Sequence, residues 1–158
     1  MVVVNRTHRI FAKHLLDTLT AAGSLLETAT LKAMLLDDTT TVDAEWDTKG
    51  HTNGIGDFGT LGEHGGATRV TPTGLASALL GSTQAALDLV DVLFPSVTAT
   101  ANAPAHVLFY AEEAGAAADP ALTNRWPVAL AAVSFTPDGT DYTGVVPLGG
   151  LFAAETNP

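Results

Sequence analysis

The sequence predicts a mainly β domain, an antiparallel β-sandwich or barrel-like sheet with an N-terminal helix and long glycine-rich loops. Three apolar runs near the C-terminus, 106–110, 128–135 and 145–152, are separated by turn residues. Between the last two lies a Pro-Asp-Gly turn at 137–139, and apolar runs joined in this way are typical of a β-hairpin. We therefore expect a C-terminal β-meander over 105–155 that forms the core of the sheet.

The chain length predicts one domain over residues 1–158, since single domains commonly run to about 100–150 residues. Its hydrophobic content of 46% is ordinary for a globular protein. Cysteine is absent, which excludes disulfide scaffolds, thiol catalysis and cysteine-based zinc sites.

The charge balance argues against a nucleic-acid partner. The formal net charge is −10 with only 7 Lys and Arg, whereas phosphate binding needs clustered cations. Arg6, Arg9 and Lys13 lie near the N-terminus, and after Arg69 only Arg125 remains. A basic start on an acidic body suits docking onto an acidic partner, although solvated charges on a helix are the commoner explanation.

No membrane partner is expected from the apolar segments. The opening Met1–Val4 run is too short for the apolar region of a signal peptide, and no 18-residue apolar stretch is present. We expect a soluble protein.

The first element is a helical arm within residues 1–26. Asn5 or Thr7 could cap it and Gly23 could end it. Its apolar positions fall near one face at close to helical spacing: Ile10, Phe11, Leu15 and Leu19.

A buried strand over 31–36 comes next, followed by a long glycine-rich loop over 37–66. So polar a segment is not expected to form a regular element, and loops of this length are commonly functional. Four apolar residues could anchor it to another surface, for example a neighbouring subunit: Trp46, Ile55, Phe58 and Leu61.

The middle of the chain is ambiguous between helix and strand. Pro72 marks extended structure over 68–73. The alanine and leucine content of 75–94 favours a helix, whereas the alternation at Leu87-Asp88-Leu89 favours a strand. We predict extended structure over 75–81 and a strand over 87–94.

No motif for catalysis or phosphate binding is present. Gly54-Ile55-Gly56 resembles part of a dinucleotide fingerprint, but neither a strand before it nor a helix after it is expected. His51, Asp57 and His64 could together ligate a metal ion, with solvated polar residues as the simpler explanation. The acidic run over 37–47 lacks the pattern of a calcium loop. We expect no cofactor and no bound metal.

Several segments carry a resemblance to a known family. Leu31–Asp37 after an N-terminal helix is followed in order by four further segments: 105–111, 127–135, 138–143 and 150–152. This order resembles the small virion structural proteins of tailed bacteriophages and archaeal tailed viruses, assigned as capsid decoration or cement proteins. The glycine-rich insert at 47–66 and the alanine-rich stretch at 75–87 depart from that pattern.

The resemblance implies a non-enzymatic protein on the virion capsid surface, assembled in the host cytoplasm. Its partners would be the major capsid protein and copies of itself, most simply as a trimer. The N-terminal arm and the 37–66 loop would reach across capsomer junctions. The candidate contact residues on these segments are Arg6, Arg9, Phe11, Lys13, Trp46, Ile55, Phe58 and Leu61.

Two other functions remain open at this point. The same β module could serve as a tail or head-completion adaptor. Alternatively, a small metal-binding hydrolase or ligand-binding domain could use His51, Asp57 and His64.

Overall fold

The structure is a computed structural model, which describes residues 5–7, 30–46, 48, 54–73, 76–80, 84–88, 91–113, 124–144 and 152–155. Within these residues the protein is mainly β, with antiparallel sheets and little helix. The strands are β1 (Asn5–Thr7), β2 (Thr30–Asp37), β3 (Ala76–Leu80), β4 (Gln84–Asp88), β5 (Val92–Phe94), β6 (Pro104–Glu112), β7 (Arg125–Ala132), β8 (Tyr142–Gly144) and β9 (Phe152–Glu155). Helix α1 spans Val42–Glu45, and a 3-10 helix spans Gly54–Asp57.

The central sheet has four strands in the order β1-β7-β6-β2, all paired antiparallel. The predicted strand at 31–36 is β2, and the apolar run at 106–110 lies within β6. β7 begins three residues before the predicted 128–135 run and ends at Ala132. Long strands of this kind place alternate side chains on opposite faces of the sheet.

Strands β2, β6 and β7 are buried on both faces, which explains why they are largely continuous apolar runs rather than alternating ones. On one face, Leu35, Phe109 and Ala131 pack with the buried side chains of β5. On the other face, Leu108 and Leu130 pack with residues from the 37–66 segment.

The ambiguous middle of the chain is β-structure. β3 confirms the extended prediction over 75–81 and pairs with β4, which pairs in turn with β9. The predicted 87–94 strand is divided, because β4 ends at Asp88 and β5 belongs to a different, two-stranded sheet with β8. The strand order in the described parts of the chain contains no closed barrel.

The second strand of the predicted hairpin, 145–152, lies outside the described residues apart from Phe152, which begins β9. The neighbours of β7 are β1 and β6, whereas the chain after the Pro-Asp-Gly turn enters β8, which pairs with β5. The turn is hydrogen-bonded to a distant segment of the chain. The backbone N–H of Gly139 donates to the carbonyl oxygen of Val97, and the N–H of Val97 donates to the carbonyl oxygen of Thr140, both at 2.9 Å. Among the described residues, the β6–β7 pairing is the part of the predicted 105–155 meander that the structure contains.

The glycine-rich segment 37–66 is also more ordered than its composition predicts. It contains α1 and the 3-10 helix, and Trp46, Ile55 and Phe58 are buried in the core. The physical reason is that these few large side chains cover the second face of the central sheet. Trp46 and Phe58 stack there with their ring centroids 6.1 Å apart.

Residues 62–70, which we call the edge segment, cover the outer edge of β2. Backbone hydrogen bonds run from Asp37 N–H to the carbonyl of Gly62 and from His64 N–H to the carbonyl of Leu35. Ala33 and Val70 each donate a backbone N–H to the carbonyl of the other. Gly62 has φ of +62°, a conformation that glycine adopts without steric cost. The edge segment thus satisfies backbone groups that an uncovered edge strand would expose.

The predicted N-terminal helix falls largely on residues outside the described ranges. Asn5 and Thr7, suggested as helix caps, lie in β1, which pairs with β7. None of the helices among the described residues has the length and apolar character that crossing a membrane requires.

Candidate functional site

His64 anchors the edge segment to the 97–102 segment. Its side chain is fully buried, with Nε2 3.1 Å from the carbonyl oxygen of Thr98 and Nδ1 3.3 Å from Thr100 Oγ1. Because a carbonyl oxygen only accepts, Nε2 is the protonated nitrogen that donates to Thr98. His64 therefore joins two loops over the edge of the sheet.

Of the three residues suggested for a metal site, the structure describes Asp57 and His64. His51 lies outside the described residues, Asp57 is half-buried in the 3-10 helix, and both ring nitrogens of His64 have protein partners. Within the described ranges, no group of three or more His, Cys, Asp or Glu side chains is placed to hold a metal ion.

Asp37 organises the turn that leaves β2. It is 6% exposed, and its Oδ1 accepts hydrogen bonds from the backbone N–H and the hydroxyl of Thr39, at 2.9 and 2.5 Å. Its Oδ2 lies 3.4 Å from Asn102 Nδ2. Farther along the acidic run, Glu45 Oε2 accepts from the backbone of Gly59 at 2.8 Å. These two carboxylates hold the chain's own loops in place, a role that the acidic run over 37–47 does not predict from its sequence.

A bidentate ion pair lies on the edge segment. Arg69 donates from Nε and Nη2 to the two carboxylate oxygens of Glu63, at 2.7 and 2.6 Å. These hydrogen bonds raise the pKa of Arg69 above its usual value. Burial raises the pKa of the nearby Tyr110 hydroxyl above its usual value. Both side chains of the ion pair are about one-third exposed, so its contribution to stability is small.

A second ion pair joins the last residue of β6 to the first residue of β7. Arg125, 5% exposed at its side chain, donates from Nε to Glu112 at 2.8 Å. Beside it, Trp126 donates its indole N–H to Glu113 at 2.7 Å. Arg125 is opposite Glu112 in the strand register, so the pair supports the alignment of the two strands.

A shallow pocket of about 210 Å³ lies between two loops. Its lining side chains carry no formal charge: Ala99, Thr100, Ala101, Asn102, Ala103, Phe135, Thr136 and Pro137. Two of its polar side chains already have partners within the chain. The Thr100 hydroxyl lies 3.3 Å from His64 Nδ1, and Asn102 Nδ2 donates to Asp37 Oδ2 at 3.4 Å. The pocket has room for a small apolar group, but its lining supplies no general acid or base.

The candidate contact residues belong to two segments, the predicted N-terminal arm and the 37–66 loop. In the arm, Arg6 lies in β1 opposite Leu130 of β7, whereas Arg9, Phe11 and Lys13 lie outside the described residues. Trp46, Ile55 and Phe58 are buried beneath the chain's own surface, and Leu61 is half-buried against them.

The anchors in the 37–66 segment thus attach it to its own sheet. Sequence spacing gave no sign of this, since the anchors lack a regular period. That these residues also contact a partner stays a prediction.

Taken together, the buried polar residues in the described parts of the chain fix loops and strand ends. His64, Asp37 and Arg125 each have partners that account for their burial. These hydrogen bonds hold the surface loops beside the sheet in a fixed arrangement. No protein-family model, curated protein or solved structure matches this chain.

Proposed function

We propose that this chain is a non-enzymatic virion structural protein that binds the outer face of an assembled capsid and reinforces the shell. The observation that supports the proposal most is the placement of the segments that carry the family resemblance. Leu31–Asp37, 105–111 and 127–135 correspond to β2, β6 and most of β7, which are adjacent in one sheet. Segments that resemble a family in sequence order are therefore contiguous in space.

The packing of the body suits a structural role. Both faces of the central sheet are covered, and the edge segment covers β2, so the sheet resists deformation and edge-to-edge aggregation. A protein that acts at many equivalent lattice points also gains strength from repeated contacts without tight binding at each one. The proposal includes the finer fold, a β-sandwich with an N-terminal helical arm, and self-association at the lattice, most simply as a trimer.

The proposal is tested by counting copies and by heating particles. Purified virions are quantified for this chain, and particles grown without it are compared with complete ones for the temperature at which the shell opens. A decoration protein is present in hundreds of copies, and its loss lowers that temperature. Copies sufficient for only one ring at the tail or portal would instead favour the adaptor function, and absence from particles would reject both.

A further inference from the structure

The pocket between residues 99–103 and 135–137, which we call the loop pocket, is large enough for one six-membered ring. Its volume is about 210 Å³. A cavity of about 150 Å³ admits benzene, whereas drug-sized ligands occupy pockets of about 300–1,000 Å³. A six-membered ring with a few substituents is therefore the largest ligand that fits between the two walls of the loop pocket.

The 99–103 wall offers hydrogen-bond acceptors to a ligand. The single hydroxyl proton of Thr100 is used within the chain, since Oγ1 lies 2.9 Å from the carbonyl oxygen of Asn102 and 3.3 Å from Nδ1 of the buried His64. The amide nitrogen of Asn102 is directed to the buried Asp37, so the Oδ1 acceptor of Asn102 points away from that carboxylate. A ligand that hydrogen-bonds to this wall must therefore supply the donors.

The 135–137 wall supplies an apolar plate of fixed orientation. Phe135 lines the loop pocket and stacks on Tyr142, with ring centroids 3.8 Å apart and ring planes within 2° of parallel. Beside it, Thr136 is exposed and carries a hydroxyl that can donate or accept. Because both walls are held from behind by the chain's own side chains, the loop pocket loses little conformational entropy when a ligand binds.

The loop pocket has no counter-charge for an ionised ligand. Its lining side chains carry no formal charge, and the whole chain has a net charge of −10. A phosphate or carboxylate would meet acceptors and a negative field, and an ammonium group would find no carboxylate in the lining. The ligand that suits these walls is neutral.

We infer that the loop pocket binds one neutral pyranose ring of a carbohydrate. A pyranose combines a six-membered ring, an apolar C–H face that packs against Phe135, and hydroxyl groups that donate to the 99–103 wall. A purely apolar ring would instead displace water from these acceptors without replacing its hydrogen bonds. This inference stands apart from the proposed function, because it depends on the loop pocket alone.

The test follows the amide NMR spectrum of the full chain during titration with glucose, galactose, mannose and N-acetylglucosamine. Two further compounds test the chemistry: glucuronate adds a carboxylate to the same ring, and cyclohexanol keeps a six-membered ring with a single hydroxyl. Ala101→Trp fills the loop pocket from an exposed position, where the alanine side chain makes no hydrogen bond that the change removes. Ala44→Trp is the matched control, since it adds the same side chain at an exposed position of α1 outside the loop pocket. Circular dichroism verifies that both variants fold.

The inference predicts that at least one of the neutral sugars shifts the amide resonances of 99–103 and 135–137. Binding should saturate with a dissociation constant in the millimolar range, as expected for so small a ligand. Ala101→Trp should bind that sugar at least about tenfold more weakly, whereas Ala44→Trp should bind it like the wild type. Glucuronate and cyclohexanol should both bind more weakly than the sugar.

Three results would overturn the inference. The first is a titration in which none of the sugars shifts these resonances, and the second is an Ala101→Trp variant that binds as well as the wild type. The third is cyclohexanol or glucuronate binding as tightly as the neutral sugar, which would assign the loop pocket to an apolar ring or to an anion. The proposed function is unaffected by any of these results, because it is tested on particles.

Discussion

Replacing Gly66 by alanine tests whether the edge segment is packed as tightly as the structure indicates. A Cβ at this position would lie 2.9 Å from the carbonyl carbon of Thr98 and closer still to its oxygen. Ordinary van der Waals contact begins at 3.4 Å, so the two backbones must separate by about 0.5 Å for the carbon alone and by more for the oxygen. The obstacle is main chain on both sides, which cannot rotate out of the way.

The cost follows from what the separation breaks. Overpacking of this kind costs about 1–3 kcal/mol. The displacement also stretches the 2.9 Å bond from Thr98 N–H to Gly66 O and the bond from His64 to Thr98 O, at about 1 kcal/mol each. We expect Gly66→Ala to lower the free energy of unfolding by about 3–5 kcal/mol. For a chain of this length that corresponds to a fall in melting temperature of about 6–20 °C.

The neighbouring Gly65 provides a matched control. A Cβ at Gly65 meets nothing within 4 Å, and its φ is not positive. Gly65→Ala should therefore leave stability unchanged or raise it by about 0.4–1 kcal/mol, because alanine restricts the unfolded chain. Urea unfolding followed by tryptophan fluorescence measures both variants. The packing of the edge segment would be refuted if Gly66→Ala matched the wild type, or if the two variants were equally destabilised.

Three further substitutions test other parts of the structure. Trp46→Ala should lower the free energy of unfolding, measured in urea, by about 3–5 kcal/mol, because it empties a buried position. Leu61→Ala, at a half-buried position of the same cluster, should lower it by less, and equal losses would show that Trp46 is not in the core. Arg125→Met leaves Glu112 unpaired at a site that is largely buried, and should cost about 3 kcal/mol, much of it recovered when Glu112 is also replaced by leucine. Among the described residues, no hydrogen-bond partner faces the Tyr142 hydroxyl, so Tyr142→Phe should keep stability unchanged or raise it by up to about 1 kcal/mol at neutral pH. Burial raises the pKa of Tyr142 above its ordinary value of 10.0, so above that pH the unfolded chain loses a proton that the folded chain retains. Stability should thus fall as pH rises past that value, and Tyr142→Phe should reduce the fall; an unchanged alkaline slope would contradict the burial of this hydroxyl.

The sequence predicted the long strands because their apolar runs are local signals. β2 and β6 were found within a few residues, since a strand buried on both faces is apolar throughout its length. The strand pairing was not predictable in the same way. The turn at 137–139 has hairpin chemistry, but its backbone bonds to Val97, a partner about 40 residues away in sequence.

The glycine-rich segment shows the limit of composition as a guide. Its low apolar content predicted a loop without regular elements, yet Trp46, Ile55 and Phe58 suffice to hold it against the sheet. Gly62 and Gly66 in its last part are required by close backbone approach rather than by flexibility. For the candidate site, the acidic residues at 37 and 45 were visible in the sequence, whereas their loop-fixing hydrogen bonds depended on the approach of residues distant in the chain.

A density map of the intact virion tests the central claim most directly, because it gives location, copy number and symmetry together. The account predicts a β-rich density of this size at repeated positions on the outer shell. Density found only at the tail, or a shell surface with no such feature in particles that contain the chain, would contradict it.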